Sequence, residues 1–305
     1  MKRLLNCTAS DFQKMTGRDL KEAIEASEGR TMVAETVCTA PSLYPGITNA
    51  EYVAAFGADL ILLNFFDVNE PKIEGLDGVS ANELLRTVKK MVGRPVGVNL
   101  EPVDVDARGA EDLSTLPTGR IATYESLKRA KELGADFVCL TGNPKTGVTN
   151  KEITNAIQRA REVFGEDGLI IAGKMHGAGV KGEAGVNIVS EEVVHQFVNA
   201  GADVILLPGV GTVPGSTVEK TVKFVEQAKQ AGALAMTTIG TSQEGADEET
   251  IKQIALYNKM AGADLHHIGD AGFTGLAVPE NIMAYSIAIR GRRHTFTRMA
   301  ASILR

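Results

Sequence analysis

The tripeptide Gly-Ala-Asp occurs four times in the chain, and each copy leads directly into an apolar run. The copies begin at Gly57, Gly134, Gly201 and Gly262, so they recur about every 60 to 80 residues. Glycine supplies the left-handed residue that ends a helix, and aspartate opens a short turn before a buried strand. Each copy is interpreted as a helix-to-strand junction. The spacing is about twice that of one strand-and-helix unit, so the repeat marks every second strand of a parallel array.

Eight apolar runs have the length and composition of strands that are buried on both faces. They are residues 31–37, 59–66, 95–102, 136–142, 169–177, 203–209, 234–242 and 264–269. Stretches with helical periodicity lie between them, and two of these open at Ser190 and Ser216. Eight strands alternating with helices predict an α/β fold, a closed (β/α)8 TIM barrel. An open doubly wound sheet usually has fewer strands.

Residues 1–305 are interpreted as a single barrel domain, because no linker or change in composition divides them. Residues 1–30 precede the first strand and carry two short helical patterns, at 10–15 and 19–27. We expect this helical N-terminal extension to cover the bottom of the barrel.

Composition argues against several classes of partner. The net charge is −6 with both signs interspersed, so no overall field favours nucleic acid or an anionic membrane. No signal peptide or apolar run of about 18 residues occurs. Cys7, Cys38 and Cys139 lack the spacing of a zinc site. We therefore expect a cytoplasmic protein with no membrane partner, no nucleic-acid partner and no bound cofactor.

The connections that follow the strands are long, and barrel enzymes place their chemistry on that face. The third connection carries Asp104, Asp106, Arg108 and Arg120, and the fifth carries Gly177, Gly179, Gly182 and Gly185. Their lengths suit either lids that close over a ligand or plain solvated loops.

The last three connections are rich in glycine, which lets backbone amides approach an anion such as phosphate. Where a barrel has a phosphate site, the seventh and eighth connections usually form it. The residues predicted to bind phosphate or substrate are Gly209 and Gly211 in the sixth connection, Gly240, Thr241 and Ser242 in the seventh, and Gly269, Asp270, Gly272 and Gly275 in the eighth. The alternative is that these turns need glycine for their own geometry.

With these loops, the chain resembles the phosphate-binding (β/α)8-barrel superfamily, which includes many aldolases, isomerases and phosphosugar enzymes. The resemblance covers the whole chain in architecture, and only the seventh and eighth connections in motif. The closing stretch from His266 to Phe296 is also similar to bacterial barrel proteins of unassigned activity. The resemblance implies a small phosphorylated metabolite as ligand, without identifying a reaction.

A mechanism must come from polar side chains at the strand ends, where an inward-facing charge is costly without a role or a partner. Period-two alternation places Lys174 and His176 on the same side of the fifth strand as Ile170 and Ala172. If that side faces the barrel axis, Lys174 could form a Schiff base with a carbonyl substrate while His176 transfers protons. Lys174 could instead contact a ligand as an ammonium ion, or pair with a carboxylate of a neighbouring strand.

Other strands bring candidate partners to the same region. Asn99 and Glu101 share one side of the third strand, and Glu35 and Asn64 on the first two strands could join them. Glu101 is predicted to carry protons, together with Lys174 and His176 as catalytic residues. Glu35 and Asn99 are predicted to bind substrate.

The eighth strand contains two adjacent histidines that alternation places on opposite sides. We expect one of them to face inward and the other to pack between the barrel and the helices. His266 shares its side with Asp270 and is the substrate-binding candidate, although alternation alone does not decide between His266 and His267.

A divalent metal ion is the alternative use of these groups. Glu35, Glu101, His176, Asp270 and one of the two histidines could supply oxygen and nitrogen ligands. Neither an H-x-H on the first strand nor an HExxH occurs, so the spacing gives a metal no support.

The end of the chain is basic. Its arginines are Arg290, Arg292, Arg293, Arg298 and Arg305, in a segment without acidic residues. The favoured interpretation is that they stabilise the end of a helix through its dipole. The second is a homo-oligomer contact through Phe296, Met299 and Ile303, and nucleic-acid binding comes third.

Together these features predict a barrel enzyme that acts on a small phosphorylated carbonyl metabolite, as an aldolase-like lyase or an isomerase. Two alternatives of other kinds stay open. One is a metal-assisted hydrolase or phosphonate-processing enzyme, and the other is a barrel that binds a metabolite without turnover.

Overall fold

The computed structural model describes residues 2–104, 116–142, 146–177 and 188–305. Its centre is a closed barrel of parallel strands that follow one another in chain order. The strands are β1 Thr31–Val37, β2 Leu60–Asn64, β3 Val96–Leu100, β4 Phe137–Leu140, β5 Ile170–Gly173, β6 Val204–Pro208, β7 Leu234–Ile239 and β8 Leu265–Ile268. Pairing of β1 with β8 closes the ring. The predicted (β/α)8 TIM barrel is confirmed.

Helices surround the barrel. The α-helices are α1 Ala9–Phe12, α2 Gly17–Glu25, α3 Asn49–Ala55, α4 Leu84–Val92, α5 Tyr124–Leu133, α6 Asn150–Phe164, α7 Glu191–Ala200, α8 Val218–Gln230, α9 Glu248–Met260 and α10 Pro279–Ala300. Side-chain oxygens that precede a helix often accept a hydrogen bond from its first turn. Thr123, Ser190 and Asp247 do so at α5, α7 and α9.

The predicted boundaries need small corrections. Several strands start one residue later than predicted, because the aspartate of each Gly-Ala-Asp copy belongs to the turn. Helix α8 is capped by Thr217 rather than by Ser216, and the Ser216 hydroxyl instead binds the backbone of the preceding loop at Gly211 and Val213. Alternation along the strands still holds, and it separates two apolar clusters.

The inner cluster fills the barrel, and the outer cluster lies between the barrel and the helices. The inner side chains include Val33, Leu62, Ile171, Met236 and Leu265. Their neighbours one residue away, such as Ala34, Ile61 and Ile170, belong to the outer cluster. This assignment determines which strand-end residues reach the interior of the barrel.

The N-terminal extension contributes to the inner cluster from below. Leu4, Phe12 and Ile24 belong to the same cluster as Leu60 and Leu265, which are the first residues of their strands. The extension therefore lies at the amino-terminal ends of the strands.

In all four Gly-Ala-Asp copies, the aspartate exchanges two hydrogen bonds with one residue of the preceding strand segment. Its carboxylate accepts from the backbone nitrogen of that residue, and its own backbone nitrogen donates to the carbonyl. The pairs are Asp59 with Met32, Asp136 with Val96, Asp203 with Ile170 and Asp264 with Ala235, at carboxylate distances of 2.8 to 3.0 Å. The glycines have φ between +87° and +109°, which confirms that they end helices.

A basic side chain completes each copy, because it donates to the glycine carbonyl and pairs with the aspartate. These residues are Arg290 of α10, Lys89 of α4, Arg161 of α6 and Lys229 of α8. Helices α4, α6 and α8 lead into β3, β5 and β7. Helix α10 takes the corresponding place before β1, because β8 and β1 are neighbours in the closed ring. We call this arrangement of glycine carbonyl, aspartate and basic residue the aspartate clamp.

The clamp at Asp59 is the buried one. Arg290 and Arg298 both pair with Asp59, at 2.5 and 2.7 Å, and all three side chains are at most 3% exposed. Burial alone raises the pKa of Asp59, but the two arginines hold it below its ordinary value. Arg298 also donates to the carbonyls of Leu4 and Cys7. The interpretation that these arginines only stabilise a helix end is therefore corrected for Arg290 and Arg298.

Replacing Arg290 by methionine should lower the free energy of unfolding by about 3–5 kcal/mol, because Asp59 stays buried with one partner fewer. Lys229→Met changes the same position of another clamp, where the lysine side chain is 42% exposed. It should cost less than about 1 kcal/mol, since exposed ion pairs contribute little. Urea titrations followed by circular dichroism measure both values. Equal losses would show that burial does not set the strength of the clamp.

Candidate active site

A cavity of about 470 Å³ opens at the carboxyl-terminal ends of the strands. This volume lies within the range of small-molecule sites. The described part of its wall carries four carboxyl groups and one arginine: Glu35, Glu101, Glu244, Asp270 and Arg120. Such a concentration of carboxyl groups in a cleft is typical of an acid–base site.

Alternation along the strands explains why several polar residues line the cavity. Each lies two positions after the last inner-cluster residue of its strand, as Glu35 follows Val33 and Asn64 follows Leu62. Thr141 follows Cys139 in the same way. The floor of the cavity is thus the top of the barrel core.

Glu35 and His267 form a buried pair at this floor. His267 Nε2 lies 3.1 Å from Glu35 Oε2, and the side chains are 0% and 5% exposed. Burial, with the charge of Glu101, raises the pKa of Glu35 to about 8. Burial also lowers the pKa of His267 to about 4. Near neutral pH, a protonated carboxyl therefore faces an uncharged imidazole.

Glu244 and Asp270 titrate close to neutral pH as well. Burial raises the pKa of Glu244 to about 7, and burial with the charge of Glu35 raises that of Asp270 to about 6. The Asn64 amide donates to Asp270 Oδ2 at 2.8 Å. Within the described part of the chain, Glu244 Oε2 and His267 Nδ1 are buried without a hydrogen-bond partner. These two atoms are available to a polar ligand or to water.

Glu101 is held by two protein donors. Arg120 donates to its Oε1 at 2.7 Å, and the Thr146 hydroxyl donates to its Oε2 at 2.9 Å. The Arg120 guanidinium also lies 4.0 Å from the centre of the Phe65 ring. Phe65 is 43% exposed and has φ of +60°, a region that aromatic residues rarely adopt. The rim of the cavity therefore presents a fixed cation beside an exposed ring.

The structure separates the two residues predicted on β5. Ile170 and Ala172 belong to the outer cluster and Ile171 to the inner one, so the side with Ile170 does not face the barrel axis. The condition for an inward-facing Lys174 is therefore not met. Lys174 is 2% exposed and is not among the described residues that line the cavity, whereas His176 lines it. Burial lowers the pKa of His176.

The structure does not bring His266 to the cavity. His266 lies in the layer between the barrel and the helices, where Nδ1 is 3.3 Å from the Tyr285 hydroxyl and Nε2 is 3.0 Å from the Gly29 carbonyl. His267 takes the inward position instead. One histidine faces each way, as expected. However, the inward-facing residue is His267, whereas His266 was the predicted substrate-binding residue.

Backbone amides of the sixth connection already donate to other groups of the protein. Gly209 N donates to the Thr238 carbonyl at 2.8 Å, and Gly211 N donates to the Ser216 hydroxyl at 3.0 Å. Val210 N is bound by the Asn258 side chain at 2.8 Å. Amides used in this way do not point at an anion. Neither Gly209 nor Gly211 is among the described lining residues.

The seventh connection reaches the cavity through Gly240. Thr241 donates to the Thr212 carbonyl at 3.0 Å and also bonds to Gln243. Ser242 adopts a left-handed conformation with φ of +73°. Thr241 and Ser242 thus shape the turn that carries Glu244.

In the eighth connection, Asp270 lines the cavity and the glycines make room for neighbours. A side chain at Gly269 would overlap the Glu244 carboxyl, and one at Gly272 would meet the Glu244 backbone. Gly275 has φ of +72°, and its carbonyl accepts from Val37 N at 2.8 Å. Packing alone therefore accounts for these glycines, and their phosphate-binding role stays a prediction.

Some sequence predictions fall outside the described residues. Asp106, Arg108, Gly179, Gly182 and Gly185, which bear on the lid interpretation, lie there. Among the residues that the structure describes, no group of three histidine, cysteine, aspartate or glutamate side chains is arranged to hold a metal ion.

Sequence reasoning missed Glu244 and left open which of His266 and His267 faces inward. Glu244 lies in the short 3-10 helix Gln243–Gly245, where no strand periodicity could indicate it. Asn281 at the start of α10 fixes this turn by donating to the Glu244 and Ala246 carbonyls. His267 could have been found by counting two residues from Leu265, but only once the inward side of β8 was known.

We expect Glu35 to be protonated at pH 7. In protein with isotope-labelled glutamate carboxyls, the infrared band of protonated carboxyl should be present at pH 7 and decline as the pH rises through about 8. Glu35→Gln should weaken this band, because it removes the buried acid. Glu162→Gln, a change at an exposed residue of α6, is the control and should leave it unchanged. A band of undiminished strength in E35Q would contradict the assignment.

The fold and the carboxyl-lined mouth define a TIM-barrel protein with a candidate active site. The chain belongs to the family described as Domain of unknown function (DUF7916), whose model matches residues 5–305. No curated protein matches the chain. Within the described residues, no helix has both the length and the apolar character needed to cross a bilayer.

Several solved structures are similar. Thiamine phosphate pyrophosphorylase from Pyrococcus furiosus is 15% identical, with a TM-score of 0.47 over 86% of this chain and 96% of that one. The carboxyl transferase domain from Rhizobium etli pyruvate carboxylase, with 3-hydroxypyruvate, is 12% identical with a TM-score of 0.52, covering 97% of this chain and 52% of that one. Oxaloacetate acetylhydrolase is 16% identical with a TM-score of 0.47, covering 84% and 81%. At 12% identity, the likeness to the carboxyl transferase domain shows the barrel fold alone.

Proposed function

We propose that the protein is an enzyme that transfers protons on a small polar carbonyl metabolite, as an aldolase-like lyase or an isomerase. The observation that carries the proposal is the Glu35–His267 pair at the floor of the cavity. A carboxyl with its pKa raised to about 8 keeps a proton at neutral pH, ready to donate. An imidazole that stays uncharged orients it.

Glu244 supplies the complementary group. Its pKa near 7 makes it partly ionised at neutral pH, so it can remove a carbon-bound proton while Glu35 donates one to the carbonyl oxygen. Both side chains line the same cavity. Two carboxyl groups that both titrate near neutral pH in one cavity can exchange protons with a bound substrate.

The remaining polar groups would position the substrate. Arg120 can stabilise negative charge on an enolate oxygen, since its guanidinium is fixed by Glu101 and Phe65. Asn64, Asn99 and His176 offer neutral partners along the wall. His267 acts through Glu35 and is a positioning residue.

The phosphorylated substrate expected from the sequence is a narrower proposal. The described wall sets four carboxyl groups against one arginine, and this balance repels a phosphate dianion unless some of the carboxyl groups stay protonated. Uncharged hydroxy-carbonyl compounds suit the described wall better. Phosphorylated analogues, bound near Gly240 and Asp270, belong in the same substrate panel.

Proton transfer can be measured without knowing the natural substrate. The protein should exchange carbon-bound hydrogen of at least one small hydroxy-ketone or hydroxy-aldehyde with solvent deuterium, followed by proton NMR. Glu35→Gln keeps the size of the side chain but cannot release a proton, so the exchange rate should fall by about 10²–10⁴-fold. Glu162→Gln, on the surface of α6, should have no effect. Full activity of E35Q, or no exchange across a panel with and without phosphate, would reject the proposal.

Schiff-base chemistry can be tested with the same panel. Because the described cavity wall does not include Lys174, borohydride reduction should leave no substrate mass on that residue. Peptide mass spectrometry after reduction measures this. A substrate-dependent adduct at Lys174 would replace the acid–base mechanism by the amine mechanism.

A further inference from the structure

A second cavity lies at the opposite end of the barrel from the candidate active site. It measures about 650 Å³ and is enclosed by the N-terminal extension and the last part of α10. Arg298 in its wall pairs with Asp59, directly before β2, which places the cavity at the amino-terminal ends of the strands. We call it the basal cavity.

The wall of the basal cavity is basic. Its charged side chains are Arg3, Arg293, Arg298 and Arg305, and His294 lies among them. Thr8 and Thr297 add hydroxyl groups. No aspartate or glutamate side chain is found among the described residues of this wall.

The arginines of this wall differ in how they are neutralised. Arg298 is buried and paired with Asp59, so its charge is compensated within the fold. For Arg3 and Arg293, no ion pair with a carboxylate side chain occurs among the described residues, and the Arg293 guanidinium lies 3.2 Å from His294 Nε2. Arg3 and Arg293 therefore bring uncompensated positive charge to one concave surface.

The titration of His294 is consistent with a positive potential there. Burial lowers the pKa of His294, and so do the charges of Arg293, Arg3, Arg30 and Arg290. These arginines come from α10, from the N-terminal extension and from the segment before β1. An anion in the cavity would offset their repulsion and raise the pKa of His294.

We propose that the basal cavity is a binding site for a small phosphate-bearing anion, separate from the candidate active site. Guanidinium groups match phosphate oxygens in geometry and form charge-assisted hydrogen bonds with them. The volume accommodates a ligand of nucleotide size, since small-molecule sites span about 300–1,000 Å³. This site does not depend on the reaction at the barrel mouth.

Calorimetric titration of the full chain with inorganic pyrophosphate, and separately with a nucleoside diphosphate, tests the proposal. At least one of the two should bind saturably with one site per chain. The Arg3→Ala/Arg293→Ala double variant should weaken binding by about tenfold or more, because it removes the charge-assisted donors. Arg292→Ala, an adjacent exposed arginine outside the cavity wall, is the matched control and should bind like the unmodified protein.

Proton NMR of the histidine ring supplies a second readout. The bound anion should raise the pKa of His294, and this rise should be absent in the double variant. Binding that does not saturate, equal weakening by Arg292→Ala, or an unchanged His294 titration would each overturn the site. If pyrophosphate binds as tightly as the nucleotide, the cavity recognises the phosphate groups alone; tighter nucleotide binding would indicate that it also contacts the base or sugar.

Discussion

The barrel depends on the aspartate clamps at its amino-terminal end. Three of them use a lysine or arginine from a helix earlier in the chain, but the clamp at Asp59 must join the two ends of the sequence. Arg290 is 231 positions away from Asp59, yet it occupies the place that Lys89 holds beside Asp136. This buried pair lies at the amino-terminal ends of β1 and β2, where Asp59 binds the backbone of Met32. A second arginine, Arg298, compensates the carboxylate that the burial would otherwise leave poorly solvated.

Charges at the other end of the barrel are arranged differently. There the carboxyl groups crowd one another, and burial raises the pKa of Glu35, Glu244 and Asp270. The unfolded chain releases the Glu35 proton near the ordinary pKa, whereas the folded protein keeps it until about pH 8. The contribution of Glu35 to the free energy of unfolding therefore falls as the pH rises from the ordinary carboxyl pKa to about 8. The ion pairs at the amino-terminal end stabilise the fold, whereas the carboxyl groups at the mouth can exchange protons.

The barrel could be predicted from the sequence because each Gly-Ala-Asp junction is a local signal, set by the glycine conformation and by the aspartate that binds the neighbouring strand. The site could be predicted only in part. Glu35 and Asn99 lie on β1 and β3, Glu101 directly follows β3, and all three line the cavity as expected. On β8 both sides are apolar, so alternation cannot tell His266 from His267. Beyond the end of a strand alternation has no meaning, and Asp270 reaches the cavity despite sharing its side with the outward-facing His266.

Helix dipoles give one physical reason for the opposite charge at the two ends. In a (β/α)8 barrel the helices begin at the mouth and end at the amino-terminal ends of the strands, so positive dipole ends meet the carboxyl groups and negative ends meet the arginines. The glycine-rich loops at the mouth then need no anion to explain them. Gly269 and Gly272 leave space for the turn that brings Glu244 inward, and a phosphate there would have to compete with that carboxyl for the same dipoles. At the basal cavity no carboxyl side chain of the described wall competes, and Arg3 and Arg293 form no ion pair with a carboxylate side chain among the described residues. Anion binding is therefore better supported at the amino-terminal end of this barrel than at its mouth.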